Sequence, residues 1–305
     1  MYCAPSNKKT LPNSCYTNEQ IINIAKSFNL YNKSNLINIE QSPIHIYNDL
    51  KIKLNNIRED LWLDNTENTK FLSDTELKNI FIPKMPNEWC SNITKWRNQT
   101  NNSKINAPWL SNFDIEDVIN QYHNKYPHFI FLGTHPIDFQ NTNLFGCISN
   151  LCSFNIDNII SKNKYCFGIV LNTDKHNQSG SHWISIYCNL NTCKIYFFNS
   201  ANNNDSKIPQ QVIDFVKNIH QQVLNLYKKN LDFKFNNKIS HQSSNSECGM
   251  YSIYLILSLL DADHNNIGSD SVFDNYFNNP LFTIEDSVML QKRFSYFRPN
   301  QKCNI

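Results

Sequence analysis

The stretch SHQSSNSECGMYSIYLILSLL, Ser240 to Leu260, changes character at Cys248. Every residue before the cysteine is polar. Beyond Gly249 the run is apolar on nearly all faces, interrupted only by Ser252 and Ser258. A helix with no polar face belongs in the middle of a domain, covered on every side. Tyr251 to Leu260 is only half as long as a membrane span, so a buried central helix is expected. Upstream, Trp183 to Cys188 and Lys194 to Phe198 are dominated by β-branched and aromatic residues, the composition of central strands. Phe129 to Leu132 and Tyr165 to Leu171 read as two more strands, and Asp232 to Ile239 as a fifth. Val212, Phe215, Val216, Ile219, Val223, Leu226 and Tyr227 recur at helical spacing, with Pro209 near the first turn and Ser206 or Asp205 as the cap. Ser111-Asn112-Phe113-Asp114 caps a short helix through Tyr122, and Glu285 to Tyr296 reads as a final helix. Strands flanked by helices, with one helix in the middle, predict an α+β fold built on a central mixed sheet.

Residues 1–105 have a different texture, mostly helical and loop-rich. Thr17-Asn18-Glu19-Gln20 is a capping box ahead of Ile21 and Ile24, and Ser73-Asp74-Thr75-Glu76 is a second ahead of Leu77 and Ile80. Ser42-Pro43 places proline in the first turn of a helix carrying Ile52, Leu54 and Ile57. Trp96 to Ala107 reads as a linker, which predicts a helical N-terminal extension over 1–107 and a second domain over 108–305.

Composition narrows the function classes. The chain has 305 residues, 40% of them hydrophobic and 13% aromatic, too many for a disordered protein. A net charge of +2 argues against nucleic acid as a major partner. Met1 to Leu11 has no apolar core, so no secretory signal is expected and no membrane role follows. The 50 asparagines, with abundant Ile, Lys, Tyr and Phe, read as the mark of an AT-rich genome, such as those of some large DNA viruses. The ten cysteines contain no CxxC pair. Most are expected to be reduced core residues, Cys188 and Cys193 among them, and neither a zinc site nor any cofactor is expected. His176 and His135 read as a turn residue and a cleft-lining residue rather than metal ligands.

Four residues carry the chemistry. Cys248 sits where a polar loop becomes a helix, and unpaired N–H groups there favour thiolate, the nucleophilic form. Gly249 lets backbone and substrate approach closely. His182 stands immediately before a strand and could take the thiol proton, holding it as an ion pair. Asn199, at the end of the next strand, can accept from the imidazole and fix its tautomer. Gln242 can aim an amide N–H at the nucleophile and, with the Cys248 N–H, form an oxyanion hole. Singly, each has a bland reading: an inert buried thiol, a satisfied histidine, one asparagine among many, a solvated glutamine. Their order and placement together point to acyl transfer through a thiol.

That order, with seventeen residues from His182 to Asn199 and six from Gln242 to Cys248, resembles the cysteine proteases that cleave ubiquitin-like modifiers, together with the adenovirus and African swine fever virus proteases. The motifs His182-Trp183, Tyr196-Phe197-Phe198-Asn199-Ser200-Ala201, His241-Gln242 and Glu247-Cys248-Gly249 carry the resemblance. Asn199 in place of Asp, and Trp109-Leu110-Ser111-Asn112-Phe113-Asp114-Ile115 upstream, are similar to the African swine fever branch. The resemblance spans about residues 108–297. It implies a papain-like core with Cys248 as nucleophile, His182 as base, Asn199 as orienter and Gln242 as oxyanion donor. It further implies that Trp183 and Gly249 line a narrow substrate channel that admits Gly-Gly before the cut. The implied substrate is a protein with a Gly-Gly-x site, a viral precursor polyprotein or a ubiquitin-like modifier, met in the virion or the host cytoplasm (the virus factory). A catalytically silent peptide-binding virion protein and a thiol-dependent acyltransferase are the competing readings.

Overall fold

The computed structural model describes residues 3, 11, 14–55, 59, 62, 109–144, 146–202 and 207–299. The Ser73 to Glu76 capping box, Ile57, the Trp96 to Ala107 linker, the boundary at 107 and the caps at Asp205 or Ser206 lie outside those residues.

Five strands form the central sheet: β1 (Phe129–Pro136), β4 (Cys166–Asn172), β5 (Trp183–Asn189), β6 (Lys194–Phe198) and β7 (Asp232–Phe235), in the order β1-β4-β5-β6-β7. The outer pairs β1–β4 and β6–β7 are parallel and the inner pairs antiparallel, so the sheet is mixed. Two short strands, β2 (Thr142–Asn143) and β3 (Gly146–Cys147), form a separate antiparallel pair. The main helices are α1 (Asn18–Tyr31), α2 (Pro43–Lys53), α3 (Asn112–Asn120), α4 (Gln210–Tyr227), α5 (Cys248–His264) and α6 (Asp286–Ser295).

Alternation along the strands sorts side chains to two faces. Trp183, Tyr187, Tyr196 and Phe198 join one core with α5. Ile184, Ile186, Cys188, Ile195 and Phe197 join another with Val212, Phe215, Ile219 and Val223 of α4. Both faces are covered, which is why β5 reads as a continuous buried run. Gly168 of β4 lets α5 sit close: a Cβ there would come within 2.8 Å of Ile256 Cγ2. The N-terminal helices share the α5 core, and Tyr16 stacks on Trp62 and meets the edge of Tyr296.

The capping boxes at Thr17–Gln20 and Ser111–Asp114 are present, each with both reciprocal bonds. Several elements differ from expectation. β1 continues four residues past Leu132, through a register shift that polar Thr134 and His135 conceal from a hydrophobicity reading. β7 ends at Phe235 because Asn236 leaves the ladder to bond loop backbone. α4 begins at Gln210 with Pro209 as its N-cap. In α2 the buried side chains are Ile46, Tyr47 and Leu50, while Ile52 is exposed. The largest correction concerns the cysteines. Cys3 is bonded to Cys15 and Cys147 to Cys152, whereas Cys166, Cys188, Cys193 and Cys248 are free and buried. The sequence separations within these pairs are short, 12 and 5. Among the described residues, no helix is long and apolar enough to cross a membrane.

Candidate active site

The sheet end where β5 starts and β6 stops meets the N-terminus of α5. Antiparallel pairing of Ser185 with Phe198 sets the start of β5 beside the end of β6, bringing His182 to Asn199. The imidazole Nε2 and the Asn199 Oδ1 are 2.8 Å apart. Because Oδ1 can only accept, Nε2 carries the proton, and Nδ1 keeps its lone pair. Oδ1 also accepts from the Ala201 N–H, which holds the amide in that sense. Asn236, fully buried, clamps this strand end from behind. Its Oδ1 accepts from the Asn199 N–H at 2.9 Å and its Nδ2 donates to the Asn199 carbonyl at 2.8 Å.

Cys248 is the first residue of α5 and is buried. Its sulfur meets the backbone N–H groups of Trp183, Gly249 and Cys248 itself, each of which favours thiolate. Trp183, whose backbone favours the thiolate, is the residue that follows His182. Burial outweighs these donors, and with the Glu247 carboxylate adjacent the thiol is pushed up to about 11. Burial also holds His182 below its ordinary value, with the Asn199 bond working against that shift. Burial thus pulls both groups toward their neutral forms, against the ion pair that the helix terminus favours. Asn199 fits this picture, since it orients a ring without the charge that would stabilise imidazolium.

Gln242 lies on the loop leading to α5. Its backbone N–H donates to the Ser200 carbonyl at 2.9 Å and its Oε1 accepts from the Ser200 hydroxyl at 2.7 Å. Among the described residues, the Nε2 hydrogens are the end of the amide without a hydrogen bond. Trp183 donates its indole N–H to the Leu110 carbonyl at 2.9 Å, which fixes the ring. A cavity of about 510 Å³ opens beside it, lined by Trp109, Phe113, His135, Pro136, Ile148 and Trp183 among others. Gly249 is buried, and the space a Cβ would take is filled by Leu110 Cβ at 3.0 Å and Ile115 Cδ1 at 3.4 Å. Helix packing against α3 accounts for its small size.

His135 spends both ring nitrogens on Leu132 and Ser149, and His176 pairs with the buried Asp138 at 2.7 Å. Beneath the site, Glu247 and Arg293 form a fully buried pair at 3.3 Å. Asp286 accepts from the Ser243 and Ser244 N–H groups and from the Ser243 hydroxyl. Sequence reasoning missed Ser200, Asn236, Asp286 and Arg293 as supports. Only Ser200 carried a signal, standing inside the motif quoted for Asn199.

Residues 160–295 match the model of the Ulp1 protease family, C-terminal catalytic domain. Over 99% of its length the chain is 25% identical to a protein of Acanthamoeba polyphaga mimivirus that bears the name thiol protease, covering 97% of that protein. It is 28% identical over 166 residues to an African swine fever virus protein named SUMO-1 cysteine protease, spanning 51% of this chain and 59% of the other. The crystal structure of an African swine fever virus protease aligns with a TM-score of 0.53 at 23% identity, over 98% of this chain and 96% of that one, and so shares the fold.

Proposed function

We propose that the chain, whose residues 160–295 match the Ulp1 protease family catalytic domain, is an endopeptidase cutting after Gly-Gly, with Cys248 as nucleophile. In this reading residues 108–305 are the catalytic unit and 1–107 a helical extension. The observation that carries it is the His182 imidazole tied to Asn199 at 2.8 Å at the start of β5, with Cys248 as the buried first residue of α5 and its thiol influenced by the Trp183 backbone.

The chemistry runs in two acyl transfers. His182 Nδ1 takes the Cys248 proton as sulfur bonds to the scissile carbonyl carbon. The oxyanion accepts from Gln242 Nε2 and the Cys248 N–H, an effect worth roughly 2.7–4 kcal/mol per donor. As the carbonyl re-forms, the C–N bond breaks and the departing amine takes the proton from His182. Water then attacks the thioester, giving its proton to His182, and the proton returns to sulfur as the carboxylic acid leaves. Proton transfer to His182 during attack suits a thiol whose pKa lies near 11.

The fixed indole of Trp183, as the lining of a narrow channel, favours residues without side chains before the cut. In this reading the substrate is a virion precursor protein, processed in the virion or the host cytoplasm, and what speaks for it is that the relatives are proteins of viruses. The printed name of one relative supports a second reading, in which the substrate is a SUMO-like modifier. The test is a peptide series ending the acyl side in Gly-Gly, Ala-Gly or Gly-Ala. Gly-Gly-x should be cut after the second glycine, with kcat/KM falling about 100-fold when either glycine becomes alanine, roughly 2.7 kcal/mol. Equal cutting of all three removes the channel argument. Efficient labelling of Cys248 by a SUMO vinyl sulfone, with no cutting of virion precursors, moves the substrate to the modifier class.

A further inference from the structure

Two consecutive residues at the end of β6 serve two different parts of the site. Asn199 turns its amide oxygen to His182. Ser200, 1% exposed, turns away and engages the loop that carries Gln242. Its carbonyl accepts from the N–H groups of His241 and Gln242, both at 2.9 Å. Its hydroxyl donates to Gln242 Oε1 at 2.7 Å.

We propose that Ser200 is a positioning residue that selects which end of the Gln242 amide faces the reacting carbonyl. The inference rests on the oxyanion role proposed for Gln242. An amide is nearly symmetric in shape and opposite in polarity at its two ends. With Nε2 forward it stabilises a developing oxyanion, and with Oε1 forward it repels one. Among the described residues, the Ser200 hydroxyl has no hydrogen bond other than that to Oε1. If the amide turned over, the hydroxyl would have to accept from Nε2. Its proton would then be left without an acceptor in a buried place, a costly arrangement. The hydroxyl thus makes one orientation the resting one, before substrate arrives. The Asn236 clamp holds the strand end rigid enough for that preference to matter.

The test is a double-mutant cycle on the full chain with a Gly-Gly-x peptide. Ser200→Ala should lower kcat about 10-fold or more with KM unchanged, and Ser200→Thr, which keeps the hydroxyl, should recover most of it. Gln242→Ala should lower kcat about 100-fold or more. In the Gln242→Ala background, Ser200→Ala should change kcat less than 2-fold, because its effect passes through the amide. Wild-type kcat in Ser200→Ala overturns the inference. So does an equal loss in both backgrounds, which would mark a merely structural role. Full activity in Gln242→Ala overturns both this inference and the oxyanion assignment, while leaving Cys248 as nucleophile standing.

Discussion

Cys248→Ala loses peptidase activity on a Gly-Gly-x peptide by about 10⁶-fold, to a background set by binding and oxyanion donors alone. In the proposed mechanism the sulfur is the atom that bonds to the acyl carbon, and no second thiol among the described residues stands ready to replace it. Cys166, Cys188 and Cys193, the other free cysteines among the described residues, are all buried. Cys166 and Cys188 lie within the sheet and Cys193 just before β6. The fold should persist, since alanine deletes one atom at a site the helix N-terminus already satisfies. His182→Ala should cost about as much, and the double variant little more than either, because the two groups act as a unit. Hydrolysis followed by mass spectrometry reads all three. Activity within tenfold of wild type in Cys248→Ala contradicts the assignment.

Arg293→Met should be the most damaging change outside the reacting groups. Arg293 and Glu247 are both fully buried and 3.3 Å apart, directly behind Cys248. Burial pushes the Glu247 carboxyl up, and Arg293 is the cation that opposes this. Removing one partner of such a pair costs about 3–5 kcal/mol, because an uncompensated charge is left in the interior. The pH dependence has a definite sign. Without Arg293 the folded-state pKa of Glu247 stays above its unfolded value, so the fold favours the protonated form. The deficit relative to wild type is therefore full at high pH and shrinks as pH falls through that raised pKa. Glu247→Gln in the same chain should recover most of the loss. Urea denaturation of wild type and the two variants between pH 5 and 8 reads this, and a deficit independent of pH contradicts it.

The sequence exposed what depends on local pattern. β6 was legible to the residue, because its run of β-branched and aromatic side chains is bounded by turns. The caps at Thr17–Gln20 and Ser111–Asp114 were legible because each is complete within four residues. The order His182, Asn199, Gln242, Cys248 was legible because each residue stands at the edge of a recognisable element. Contacts made at long range were not legible. Arg293 and Glu247 meet across 46 residues, and Ser200 and Gln242 across 42, with no periodicity to announce either. The upward pull of burial on the Cys248 thiol was not legible for a related reason. A helix N-terminus can be read from sequence, but the full burial that outweighs it belongs to packing. β1 was cut short because a parallel edge strand tolerates Thr134 and His135, which break an apolar run without breaking a ladder.

The most direct measurement is the pH-dependent labelling of the protein by a peptidyl Gly-Gly vinyl sulfone, with the adduct located by peptide mapping. With neutral His182 as the proposed base, the rate should rise as pH climbs through its pKa, which burial lowers from the ordinary 6.5. It should rise again toward pH 11 as the thiol ionises on its own. The adduct should sit on Cys248 alone, and His182→Ala should erase the lower step while keeping the upper one. Labelling at another cysteine, or a Cys248 rate that is flat from pH 5 to 9 and indifferent to loss of His182, would contradict the account.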